Sequence, residues 1–139
     1  MSVETDVRSF LLTQGISGVT SNMIFVGAAR KPGQGVPHVA IFVQEQGGLM
    51  PNEYMNGQKK TYRRSDFQLR VRGAVGGYQN VKAMADSCWL AVQKAPLTSA
   101  SFSYVRCYNL QSSPIYVGQD DTEHDEFVVN GRVEYGGGT

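Results

Sequence analysis

A chain of 139 residues with a net charge of +1 is long enough to bury one ordinary core. The near-neutral balance does not indicate a whole-protein polyanion binder, and no apolar run approaches the roughly 18 residues needed to span a bilayer. Two cysteines, Cys88 and Cys107, are too few for a disulfide framework.

The charged fraction of 18% is below the roughly 25% of an average soluble domain. Either partners cover part of the surface, or the exterior is rich in Ser, Gly and Gln. The N-terminus, Met1-Ser2-Val3-Glu4-Thr5-Asp6, is polar and acidic, so no signal peptide is expected, and a reduced, cytoplasmic setting is the simplest expectation.

In chain order, Val3, Val7, Phe10 and Leu11 recur at helical spacing and predict a short amphipathic helix, opened by Ser2 and closed by Gly15. Met23 to Val26 reads as a first strand. Val39 to Val43 is a continuous, largely β-branched run, which predicts a central strand covered on both faces. Residues 46–57 hold glycines, Pro51 and Asn52 without a period, and predict a long loop or the tip of a hairpin.

Lys59 to Arg72 then alternates with period two. Phe67, Leu69 and Val71 point one way, and Gln68, Arg70 and Arg72 the other, as on a half-buried strand. Gly73, Gly76 and Gly77 form a corner. A helix follows from about Tyr78 to Lys94, with Val81, Met84, Ala85, Cys88, Trp89 and Val92 as its apolar stripe and Pro96 as its stop. Short strands are expected at 103–110 and 113–117. An acidic turn comes next, then an alternating strand around Phe127, Val129, Val133 and Tyr135, and a flexible glycine-rich tail from Gly136. The expected fold is one α+β domain over 1–139, a single mixed, mainly antiparallel sheet with two helices packed on one face.

Chemistry-bearing motifs are sparse. His38 and His124 are the only histidines, and no zinc spacing exists. The run Asp120 to Glu126 has oxygen ligands enough for calcium but lacks the EF-hand pattern, so a solvated acidic turn is the simpler reading. No Gly-x-Ser-x-Gly elbow occurs. Gly73-Ala74-Val75-Gly76-Gly77 sits where a phosphate loop would, without its signature; sharp reversal and close helix packing explain these glycines better. No catalytic, metal or cofactor site is expected. A pocket joining either histidine to carboxylates would reopen the enzyme reading. The basic strand with Tyr62 and Phe67 interleaved suggests a nucleic-acid platform, but Phe67 shares the parity of the core residues.

Several segments carry a resemblance. They are Ser65 to Gly73, then Tyr78 and the helix through Ala83, Ala85 and Leu90, then Pro114 to Asp120 and Glu126 to Val133. Together with the opening helix they resemble the tail-terminator and minor capsid proteins of long-tailed bacteriophages, over nearly the whole chain. The resemblance implies a structural virion protein with no catalytic residues. Its protomer would form a ring, commonly a hexamer, which caps the head-proximal end of the tail tube. The ring halts tube growth and meets a head connector or stopper, with DNA passing through the lumen and no membrane involved. Another head–tail joining protein, stopper, completion or tail-tube, is the alternative within that class; a small nucleic-acid-binding domain is the alternative outside it.

A ring subunit needs two different complementary patches. The basic residues Lys59, Lys60, Arg63, Arg64, Arg70 and Arg72 and the acidic residues Asp120, Asp121, Glu123, Asp125 and Glu126 are candidates for them, by charge complementarity. Leu49, Met50, Tyr54 and Met55 are candidates for a loop that orders on assembly.

Overall fold

The computed structural model describes residues 2–16, 18–33, 35–53, 61–99 and 102–137; of 49–53, 61 and 137 it describes the backbone alone. The element order is α1 (Val3–Thr13), a 3-10 turn (Ser21–Met23), β1 (Ile24–Val26), β2 (Ala40–Glu53), β3 (Thr61–Val75), α2 (Tyr78–Val92), β4 (Phe102–Asn109), β5 (Ile115–Gln119) and β6 (His124–Gly137).

Local chemistry explains both helices. Ser2 caps α1: its Oγ accepts from the Thr5 amide at 3.2 Å, and its own amide donates to Thr5 Oγ1 at 3.0 Å. Glu4 and Asp6 in the first turn complement the helix dipole. Val3, Val7 and Leu11 bury the apolar stripe. α2 buries Val81, Ala85, Cys88 and Val92 and ends at Val92, ahead of Pro96, while Met84 and Trp89 of the expected stripe are partly buried. Burial pushes the Cys88 thiol up to about 12, so it behaves as a core side chain.

The sheet order is β1-β2-β3-β6-β4, with β5 also paired to β6. Among the described strands only β1 and β2 run parallel; the other pairs are antiparallel. β4 lies along Gly131–Gly137 of β6 and β5 along Asp125–Val128. They therefore form one edge strand, interrupted at 110–114. Both helices lie on one face. There Phe67, Leu69 and Val71 meet Ile41, Val43, Phe127, Val129, Val133 and Tyr135 beneath the helix stripes. This is the mixed, mainly antiparallel α+β sheet that the periodicities predict. The apolar run of β2 is buried on both faces, Phe42 as fully as Ile41.

One expectation is corrected. Residues 46–53, read as loop, continue β2. Two register shifts, between Glu45 and Gly48 and between Leu49 and Asn52, take up the glycines and Pro51 as bulges, so the strand survives without alternation. Residues 54–57, the rest of that loop, lie outside the described residues, as do Lys59, Lys60 and the end of the tail.

Two glycines set how closely the layers approach. A Cβ on Gly73 would lie 2.6 Å from the Val81 Cβ, so the absent side chain lets the first turn of α2 settle onto β3. Gly131 stands opposite Phe67, and a Cβ there would meet the ring at 2.4 Å. Gly131→Ala is expected to lower stability by about 1–3 kcal/mol in urea unfolding, as overpacking does. Adding Phe67→Leu to the same chain should make the alanine's own cost smaller, and full additivity would refute the contact.

Candidate assembly interface

The face of the sheet away from the helices is built from the polar positions of β3 and β6. Antiparallel pairing sets residues of the two strands opposite each other, so side chains of matching parity meet. Gln68 Nε2 donates to Asn130 Oδ1 at 3.2 Å, and Arg70 pairs with Glu126 at 3.1 Å. Arg132 grips Asp66 through two bonds, at 2.6 and 3.2 Å, the forked geometry that strengthens a guanidinium–carboxylate pair. Glu134 accepts from Tyr62 at 2.9 Å and from Arg106. Burial disfavours its charge, yet these hydrogen bonds hold its pKa below the ordinary value.

Arg72 ends this row and is only 2% exposed. Its guanidinium donates to the carbonyls of His38 at 2.8 Å, Pro37 at 2.7 Å and Arg30, and lies over the Phe42 ring. A cation is thus stabilised in the interior by backbone dipoles and an aromatic face.

The structure therefore distributes the candidate residues unevenly. Arg70, Arg72 and Glu126 are used inside the chain. Asp125 is buried and accepts from Tyr116 at 2.8 Å. Arg64 is half-buried opposite Glu134. Asp120 organises the β5–β6 turn, accepting from the amides of Thr122 and His124 and from the Thr122 hydroxyl, each at 2.9 Å. Burial opposes its ionisation, but the bonds from His124 and Thr122 win and bring its pKa down to about 2. Arg63, over the Tyr135 ring, and Asp121 and Glu123 at the turn are exposed. Asp121 meets Lys31 at 3.0 Å. Leu49 and Met50 sit on β2, but their side chains, like Tyr54, Met55, Lys59 and Lys60 altogether, lie outside the described residues. The basic strand and the acidic segment, expected to meet across a subunit boundary, thus already meet within one chain at Arg70 and Glu126.

Sequence reading missed a different surface. β5 forms part of a sheet edge and exposes three successive apolar residues, Ile115 (39%), Tyr116 (44%) and Val117 (46%), with Val105 of β4 on the same edge at 63%. Edge strands are commonly guarded by charge, because their outer backbone groups can template another strand. The apolar Ile-Tyr-Val run was visible in the sequence, but its edge position follows only from the pairing.

A surface cavity of about 400 Å³, lined by Met23, Val39, Asn80, Met84 and Ser87 among others, holds no titratable side chain. His38 and His124 do meet, and Asp120 is beside them, but none of the described cavities is lined by either histidine. Among the described residues no cluster of three potential metal ligands is found. Phosphate binding along β3 would compete with the carboxylates and carbonyls that hold Arg70 and Arg72, which weighs against a nucleic-acid platform there.

No family model and no curated protein matches the sequence. Among solved structures, the fold is similar to a chain described as "Virion of native gene transfer agent (GTA) particle", with a TM-score of 0.68 and 13% identity over 98% of this chain and 96% of that one. The likeness at this identity is one of fold, and it extends over both chains end to end.

Two outcomes follow from this geometry. Arg72→Met should destabilise the fold by about 3 kcal/mol, because three backbone carbonyls lose a charged donor that is itself buried, whereas Arg70→Gln should cost under about 1 kcal/mol; equal costs in urea unfolding would contradict the assignment. Asp120 has a folded pKa of about 2 against an ordinary 3.8, so its contribution is present above about pH 4 and is lost as pH falls towards 2. The melting temperature of the wild type should therefore fall more steeply over that window than that of Asp120→Asn.

Proposed function

We propose that this chain is a structural protein of a phage-like virion, acting as a tail terminator. Copies of it form a ring, commonly of six in the proteins the sequence resembles, that caps the head-proximal end of the tail tube and joins it to a head connector or stopper. The observation that carries this reading is the end-to-end fold likeness to a virion chain of a gene transfer agent particle. It agrees with the resemblance of the sequence to tail terminators.

Two features of the chain support the reading. The apolar run of β5, continued along the same edge by Val105 of β4, suits strand-to-strand or apolar contact with a neighbouring virion protein. The charges of the polar sheet face are largely neutralised in place, by Glu126 on Arg70, Asp66 on Arg132 and Glu134 on Arg106. A face of balanced charge would let DNA slide past without the grip that clustered free cations exert on phosphates. Exposed Arg63, Asp121 and Glu123 remain candidates for contacts between subunits, with Lys59 and Lys60.

Negative-stain microscopy of the purified protein, alone and with tail tubes, tests the assignment. Rings at one end of each tube are expected. Rings that stack into tubes would assign a tail-tube role, and failure to engage tubes would remove the terminator role. Val117→Lys, which places a charge on the exposed edge, should reduce ring formation by at least about tenfold in light scattering while the melting temperature changes little, as surface changes do. Arg63→Glu should weaken assembly less. Unaltered assembly in both variants would leave neither surface with a role in the ring.

A further inference from the structure

Residues 27–33 and 35–38, between β1 and β2, lie against the Arg72 end of the polar face as a strap. On the sheet side, Arg72 holds the carbonyls of Arg30, Pro37 and His38, and Arg30 stacks on Phe25, which in turn stacks on Phe42. On the other side the strap is tied to the β5–β6 turn. Lys31 meets Asp121 at 3.0 Å, and His38 Nδ1 lies 2.7 Å from His124 Nε2, with the ring centroids 5.0 Å apart and the two rings edge to edge. His38 is exposed and His124 is buried.

The neighbours of His124 fix which atoms carry protons. Thr122 donates its hydroxyl hydrogen to Asp120 at 2.9 Å, so its oxygen accepts from His124 Nδ1 at 2.7 Å, with the Asp120 carboxylate also 3.3 Å from that nitrogen. Neutral His124 therefore presents a bare Nε2 to the strap, and His38 donates its Nδ1 hydrogen to it. One added proton, on either ring, still leaves one donor and one acceptor between them. A second added proton puts hydrogen on both facing nitrogens, which removes the bond and sets two like charges at contact.

We infer that the His38–His124 pair is a proton-operated latch, which holds the strap to the β5–β6 turn until both rings are charged and then lets that end of the strap go. The charged groups around the pair divide between the two states. Asp120 from the turn favours the cations and is itself held ionised well below the range in which histidines titrate, while Glu126 of β6 is engaged by Arg70. Arg72 of β3, with Arg30 and Lys31 of the strap, opposes a second cation; Asp121 is already engaged by Lys31. Release leaves the strap held chiefly by Arg72 through the carbonyls of Arg30, Pro37 and His38. The inference does not depend on the virion role.

Hydrogen exchange followed by mass spectrometry tests it, with opening of residues 27–38 corrected for intrinsic rates and compared between about pH 7.5 and 5, where histidine charge changes. Opening of the wild-type strap should rise about tenfold over this interval, the loss of one hydrogen bond plus a like-charge contact. In His38→Phe, which keeps a ring but has no nitrogen, opening should be insensitive to pH. Histidine side-chain nitrogen NMR of the wild type supplies a second reading, in which each ring's titration should show two coupled steps. Strap protection that does not change with pH, an equal response in His38→Phe, or two independent single-step titrations would each overturn the latch.

Discussion

The fold depends on the ladder between β3 and β6. β3 lies between β2 and β6, so its odd positions must supply core and its even positions must find partners on the opposite face. The register meets both demands at once. A slip of one residue would turn Phe67, Leu69 and Val71 outward and drive Arg70 and Arg72 under α2, exchanging buried hydrocarbon for buried charge. Gly131 adds a steric pin, since the Phe67 ring fills the space where a side chain would stand. The two helices then have a single apolar face to cover, and the strap has a single row of polar groups to meet.

What was legible in the sequence is what repeats locally. Val3, Val7 and Leu11 gave away α1, the stripe from Val81 to Val92 gave away α2, and the alternation around Phe67 marked β3, because each signal lies within one element. The far half of β2 was not legible. Its glycines and Pro51 break the alternation, and only the bulges opposite β3 show that the strand continues. The collinear arrangement of β4 and β5 was hidden too, because each is defined by the partner it shares, β6.

The candidate interface shows the same limit. Parity told correctly which side chains of β3 leave the core, but not what they meet. Arg70 and Glu126 are 56 residues apart, Asp66 and Arg132 are 66 apart, and the two histidines are 86 apart. A charge run in a sequence is a list of side chains without their counter-ions. Here β6 brings most of the counter-ions to β3. The sequence alone made the basic strand look like a binding face, while the Ile-Tyr-Val run of β5 drew no attention.

That reversal changes what must drive association in the proposed ring. With most charges of the polar face closed within each subunit and a net charge of +1, long-range attraction between copies is weak and screened beyond roughly 10 Å at moderate salt. Apolar burial and backbone pairing are left as the main sources of affinity. The five residues of β5 are too few on their own, since a stable contact buries on the order of 800 Å² per partner. Val75 and Tyr78 enlarge this surface, because Tyr78 packs edge-on against Tyr116 and carries the exposed apolar area from the β5 edge to the start of α2. An interface of that kind would be comparatively insensitive to salt. A charge-matched ring, by contrast, would loosen as salt rises, so the ionic-strength dependence of assembly separates the two physical accounts.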